Sequence, residues 1–327
     1  MNVISDFIDA IQAALGYAPE AVRVVPGRVV RFSTKANRSD DSGWALLFAD
    51  ERGGVFGDWR TGFEGTWQSH SATPLTKLER QARTREIERA RHQRASEELA
   101  KHERTAALAV EIWKGAPLCA QHEYARRKRI SVHGLRMQRG HLGGCAGSFY
   151  VTGEEGRVER LKGDLLLVPM FGADRRLWSL QAIDRAGRKS FLKGGRTRGL
   201  FYLVASNLLR EVDQAAYSGE VAIAEGLATA STVHELGKIA VFVAFNAGNL
   251  LHVARSIRLR LPLAKITIAG DVDRSGVGQA KAEEAALAVD ALVSFPPLTD
   301  AELTGGASDW NDYVRLHPDG HPQARQA

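Results

Sequence analysis

The chain has 327 residues, 44% of them hydrophobic and 25% charged, a balance that belongs to a folded globular protein and excludes a disordered or fibrous one. Its formal net charge of +6 suits a polyanionic partner without requiring one. Two cysteines, Cys119 and Cys145, are too few for a disulfide framework and point to a reducing, cytoplasmic setting; no apolar run approaches the roughly 20 residues of a membrane span, so no membrane association is expected.

At roughly 100–200 residues per domain, two or three domains are expected. The opening MNVISDFIDAIQAALG lacks the basic start of a signal peptide, and Phe7, Ile8, Ile11 and Leu15 recur on one helical face. RVVRFS, WALLFAD and GVFGDW follow as short strands between turn residues, with Trp44, Trp59 and Trp67 as a small core. Residues 1–72 therefore read as a small α+β domain. From Pro74 to Trp113 there is no interior Gly or Pro and charge alternates in sign, which predicts one helix of roughly 38 residues, about 57 Å long. Its apolar positions before the Ala-rich end are sparse: Leu75, Leu78, Ile87 and Leu99. Residues 73–115 are thus expected to be a solvated spacer, half of a coiled coil or a basic arm along DNA. Residues 116–212 combine a basic helix, HEYARRKRI, with strands in DLLLVPMF, RLWSLQAID and KSFLKGG. Residues 213–316 alternate near-continuous apolar strands with helices, the pattern of a parallel α/β sheet covered on both faces. Residues 317–327 form a frayed tail.

In such a sheet, ligands bind at the carboxyl ends of the strands. Glu225 ends the first strand, Asp271 and Asp273 follow the third, and Asp309 and Asp312 come after the fourth. Asp271 and Asp273 alternate around Val272, so both carboxylates can leave the strand end on one side, and Gly270 and Gly276 allow tight turning around them. Clustered carboxylates repel one another unless a cation neutralises them, and an all-oxygen site suits Mg²⁺ or Mn²⁺ sharing its shell with substrate phosphates. Asp273 and Asp309 also stand where helix N-caps stand, a role that leaves Glu225 unexplained.

Phosphates need cations as well. KSFLKGGRTRG places Lys189, Lys193, Arg196 and Arg198 around two adjacent glycines, and Arg126, Arg127, Lys128 and Arg129 form a continuous run. Either set contacts phosphates or forms a solvated face; the run, on a helix, cannot face one way. Trp178 and Phe191 read as core, with base stacking the alternative. Cys119-x-x-His122 and His141-x-x-x-Cys145 have an unusual order for a zinc site, and no zinc is expected.

AEGLATASTVHE and AGDVDRSGVGQAKAEEAA resemble the Toprim domain, and with VFVAFNAGNLLHVARSIR and SDWNDY they resemble the Toprim primases of conjugative plasmids and prophages. LLLVPMFGADRRLWSLQAIDRAGRKSFLKGGRTRGLFYLV is similar to the strand-rich subdomain that precedes Toprim in bacterial-type primases. HEYARRKRISVHGLR resembles its opening in the plasmid group, and FSTKANRSDDSGWALLF with GVFGDWRTGFEGTW resembles the lead-in of prophage primase-helicases. The four-ligand Cys pattern of a zinc ribbon and the Walker A motif of a fused helicase are missing. The resemblance implies a DNA primase making short primers on single-stranded DNA from nucleoside triphosphates, with Glu225, Asp271 and Asp273 catalytic and metal-binding, Asp309 and Asp312 the candidates for a further acidic position, Asp309 taken as the ligand, and a separate replicative helicase as partner. A Toprim nuclease using the same cluster, or a non-catalytic single-stranded DNA-binding module, are the rival readings.

Overall fold

The computed structural model describes residues 2–34, 42–58, 61–69, 76–139, 149–152, 158–204, 215–273 and 276–318. Trp59, Pro74, Leu75, His141 and Cys145 lie outside them. The chain divides into two compact units, Met1–Leu99 and Ala100–Ala327.

In the first unit, helix α1 (Val3–Leu15) starts at Asn2, whose side chain accepts the Ile4 N–H, and stops at Gly16 in the left-handed region. Strands β1 (Val29–Phe32), β2 (Gly43–Leu47), β3 (Gly53–Asp58) and β4 (Phe63–Gln68) form an antiparallel meander in that order. Phe7 and Ile11 are fully buried against Val30, Phe32, Leu47 and Phe56. Gly54 makes this packing possible, because a Cβ there would lie 2.6 Å from the Phe7 ring. The core is therefore led by phenylalanines: Trp44 is buried but lies outside this cluster, and Trp67 only packs against its edge.

Helix α2 (Lys77–Gly115) has 39 residues. The unit boundary falls inside it, after Leu99. Its last third is no spacer. Ala106, Ala109 and Ile112 are buried in the second unit's cores, and Arg136 Nη1 donates to the carbonyls of Trp113, Lys114 and Ala116 at its end. Small residues hide this face from a reading that looks for large apolar side chains.

The second unit continues with α3 (Glu123–Lys128), β5 (Arg136–Gln138), the antiparallel pair β6 (Tyr150–Thr152) and β7 (Val158–Arg160), and then β8 (Leu165–Phe171), β9 (Leu177–Ile183) and β10 (Lys189–Phe191). Strands β10-β9-β8-β5 form one antiparallel sheet in that order. Alternation along β8 sends Leu165 and Leu167 towards the end of α2, and Leu166, Val168 and Met170 towards the next sheet.

That sheet comprises β11 (Tyr202–Val204), β12 (Glu220–Ala224), β13 (Ala240–Val243), β14 (Lys265–Ala269) and β15 (Leu292–Ser294), in the order β11-β13-β12-β14-β15. Four strands run parallel. The fifth, β11, is antiparallel to β13 and was assigned by sequence to the preceding strand-rich unit. Its neighbour Phe201 exchanges backbone hydrogen bonds with Phe171, so this segment passes directly from one sheet to the other. Local hydrophobicity cannot tell which sheet a strand joins.

Helix α4 (Leu227–Gly237) packs on one face, over Ala222, Ala224 and Val243. Helices α5 (Leu250–Arg260) and α6 (Val277–Leu287) pack on the other, over Val221, Ile223, Phe242 and Ile268. Two short helices, α7 (Asp300–Thr304) and α8 (Trp310–Leu316), complete the fold.

Candidate active site

Strands β12 and β14 are neighbours in register, Ala224 beside Ala269, yet the chain leaves β12 for the α4 face and β14 for the α6 face. Diverging connections open a crevice beyond the carboxyl ends of these two strands, where α/β sheets bind ligands. Glu225 follows β12 directly, and Asp271 and Asp273 follow β14.

Burial pushes the Glu225 carboxyl above the usual range; Lys189 and the Ala247 N–H that it accepts pull it back, and the charges of Asp273 and Asp309 push it up again. Ala247 follows Phe245, whose φ of 74° is a left-handed conformation uncommon for an aromatic residue. The strained corner after β13 thus delivers a backbone donor to Glu225. Asp271 is more strongly perturbed. Burial, then the charges of Glu225 and Asp309, raise its pKa to about 8 against the opposing pull of Lys189. Its Oδ1 is buried and has no hydrogen-bond partner. Asp273 Oδ2 accepts the Gly278 N–H at 2.7 Å at the start of α6. This contact requires glycine, since a Cβ on residue 278 would stand 2.7 Å from that oxygen. Gly276, not Asp273, occupies the N-cap position, but Asp273 satisfies a first-turn N–H of α6 while lending charge to Glu225. Gly276 adopts the left-handed turn expected of it, at φ 72°, whereas Gly270 is needed because the Phe295 ring lies against it.

Asp309 caps α8 by accepting the Asp312 N–H at 2.7 Å. Asp312 is held by Lys128 at 2.8 Å and Arg315 at 3.2 Å, so its charge is already matched. The acids share one rim and feel one another's charge, but among the described residues no group of three His, Cys, Asp or Glu side chains forms a ready-made ion cage. Glu225 feels the charges of Asp273 and Asp309, and Asp271 those of Glu225, Asp309 and Asp312. The buried Asp271 oxygen, without a partner among the described residues and under the negative charge of Glu225 and Asp309, is where a positive ion would be stabilised.

Lys189 was named in the sequence only as one of several cations beside a glycine pair. The structure singles it out, since it is the cation acting on both Glu225 and Asp271, and its Nζ lies 3.7 Å from where a Gly226 Cβ would be. Nothing local in KSFLKGG shows that β10 reaches the Toprim-like rim. The other predicted cations have mixed fates. Arg126 pairs with Glu123 at 2.8 Å, Arg127 donates to the Arg185 carbonyl at 2.7 Å, Lys128 holds Asp312, and Arg129 closes α3 at φ 52°. Much of that basic run therefore holds the fold together. Lys193 lies over the Tyr150 ring at 5.3 Å, and Arg196 over Trp178 at 5.2 Å. Arg198 lends its charge to His252, which is held below its usual range first by burial. Trp178 is buried and hydrogen-bonded to Asp174, as a core residue is, and Phe191 packs edge-on against Phe245. His122 is fully engaged, accepting the Tyr124 N–H through Nδ1 and meeting the Asp164 carbonyl through Nε2, which leaves neither nitrogen for a metal beside Cys119.

Residues 220–319 match the Toprim domain family. Over 291 residues the chain is 30% identical to the DNA primase TraC of Escherichia coli, a match that takes in 85% of this chain and 25% of that protein; a second DNA primase TraC of Escherichia coli is 34% identical over 161 residues. The chain thus spans about a quarter of the length of the first of these relatives. Among solved structures it is similar to the DnaG primase catalytic domain bound to ssDNA, at TM-score 0.44 and 14% identity, covering 68% of this chain and 79% of that one. It is also similar to the primase fragment of the bacteriophage T7 primase-helicase protein, at TM-score 0.40 and 11% identity, covering 89% and 95%.

Proposed function

We propose that this chain is a DNA primase that joins nucleoside triphosphates into short primers along a single-stranded DNA template, in plasmid or prophage replication. The observation that carries this reading is the Asp271 oxygen, buried without a partner at the crevice between β12 and β14 and ringed by Glu225 and Asp309. Similarity to two DNA primases that extends beyond the Toprim domain favours primer synthesis over cleavage by a Toprim nuclease or passive DNA binding.

Glu225, Asp271 and Asp273, with Asp309 beside them, would hold Mg²⁺ or Mn²⁺; bound there, the ion neutralises triphosphate charge and acidifies the attacking 3′-hydroxyl. The chain's own groups prepare the site. The Ala247 N–H steadies Glu225, and the Gly278 N–H steadies Asp273. Asp271 presents an oxygen that no protein donor competes for. Lys189 offsets part of the negative charge and is assigned to the phosphates of the incoming triphosphate. Lys193, Arg196 and Arg198 follow β10 and are assigned to phosphates of nucleotide or template, with Arg126 and Arg129 as outlying contacts. A separate helicase is proposed as the chain's partner. The enzyme is placed in the cytoplasm; among the described residues no helix is long and apolar enough to cross a membrane.

The test is a primer assay on single-stranded phage DNA with labelled ribonucleotides. Labelled oligomers should appear with Mg²⁺, and should vanish with EDTA or in Asp271→Ala. Shortening of the template without labelled product would replace the primase reading by the nuclease one.

A further inference from the structure

Tyr124 is 2% exposed, yet its hydroxyl has no hydrogen-bond partner. A buried hydroxyl left unpaired loses its hydration without recompense, so such groups are rare unless they serve a ligand or a water. Its surroundings say which. Tyr124 and Lys128 are four residues apart on α3 and share a face. Lys128 meets Asp312 at 2.8 Å, and its carbonyl accepts from Asn311 Nδ2 at 2.7 Å, so this face of α3 rests on the start of α8. The negative charges felt at the phenol are those of Asp309 first and Asp312 second. Asp312 already has Lys128, Arg315 and the Ser308 N–H. Among the described residues Asp309 has the Asp312 N–H alone, on Oδ1. Asn311 Oδ1, next along the same turn of α8, is also buried and unpartnered. One donor and two acceptors therefore border the same junction, enough polar partners to hold an ordered water.

We infer that Tyr124 is a positioning residue of the metal site, its hydroxyl donating a hydrogen bond to a water that Asp309 shares with the bound divalent ion. This rests on the metal reading given under the proposed function. Groups in this outer position commonly change metal affinity about 10–100-fold while leaving the fold untouched.

The experiment measures binding of Mg²⁺ alone to the full chain by calorimetric titration, with no nucleotide or template. Tyr124→Phe removes only the hydroxyl and should fold as the unaltered chain does. Its Mg²⁺ dissociation constant should rise about 10-fold. In an Asp309→Asn background the same change should have less than about a 2-fold effect, because the shared water is gone. 4-Aminophenylalanine at position 124, which keeps a donor in place, should restore affinity. Unchanged affinity in Tyr124→Phe, or a 10-fold loss that persists with Asp309→Asn, overturns this role while leaving the metal site standing. Failure of the unaltered chain to bind Mg²⁺ overturns both.

Discussion

Replacing Asp271 by asparagine keeps the side chain's shape and removes one negative charge from the crevice. In the folded chain this carboxyl titrates at about 8, against about 3.9 in an unfolded one. A folded-state pKa raised above the unfolded value means that the native protein binds more protons between these two values. Stability supplied by the neutral acid is complete below about pH 4 and is lost progressively as pH rises towards 8. The gap of about four pH units corresponds to on the order of 5 kcal/mol. A buried amide retains polar atoms to satisfy, so about half of that is the expected gain on substitution. For a unit of this size 1 kcal/mol moves the melting temperature by roughly 2–4 °C. In EDTA, Asp271→Asn should therefore melt about 5–10 °C above the unaltered chain at pH 8, and within about 1–2 °C of it at pH 4. Mg²⁺ should narrow or reverse the difference, since only the unaltered chain gains a full ligand set. The assay is thermal unfolding followed by circular dichroism at both pH values. Equal melting temperatures at pH 8 in EDTA would mean that Asp271 carries no burdened charge in the folded chain.

Arg258 donates to the carbonyls of Val289, Ala264, Pro262 and Asp290, tying the end of α5 to the end of α6. Arg258→Ala should destabilise the fold by about 2–4 kcal/mol, read as a lower urea midpoint, with primer synthesis per folded molecule unchanged. Lys128 and Asp312 are only 22% and 15% exposed in their side chains. Lys128→Met should cost about 1–3 kcal/mol in urea unfolding and leave the salt dependence of DNA binding unchanged. A flatter salt dependence would return Lys128 to the template-contact role read from its basic run.

Much of the Toprim sheet was legible because VAIAEG, KIAVFVAF and KITIAGD are strands buried on both faces, and such strands show as unbroken apolar runs. The positions of Glu225, Asp271 and Asp273 followed from those strand ends. What stayed hidden depends on long-range contact. Tyr202–Val204 looks like any short strand until its partner is known to be β13. Lys189 looks like one cation among four until β10 is placed beside the rim. Asp312 looked like a ligand because its pairing with Lys128 joins residues 184 positions apart. The end of α2 looked solvated because its buried face is built largely from alanine.

Glu225, Asp271 and Asp273 are proposed to hold a divalent ion together. Binding of Mn²⁺ to the full chain, followed by the loss of the free-ion electron paramagnetic resonance signal, tests it without nucleotide, template or turnover. The unaltered chain should bind saturably, and Glu225→Gln, Asp271→Asn and Asp273→Asn should each bind at least about 10-fold more weakly. Binding by all three variants as tight as by the unaltered chain would contradict it.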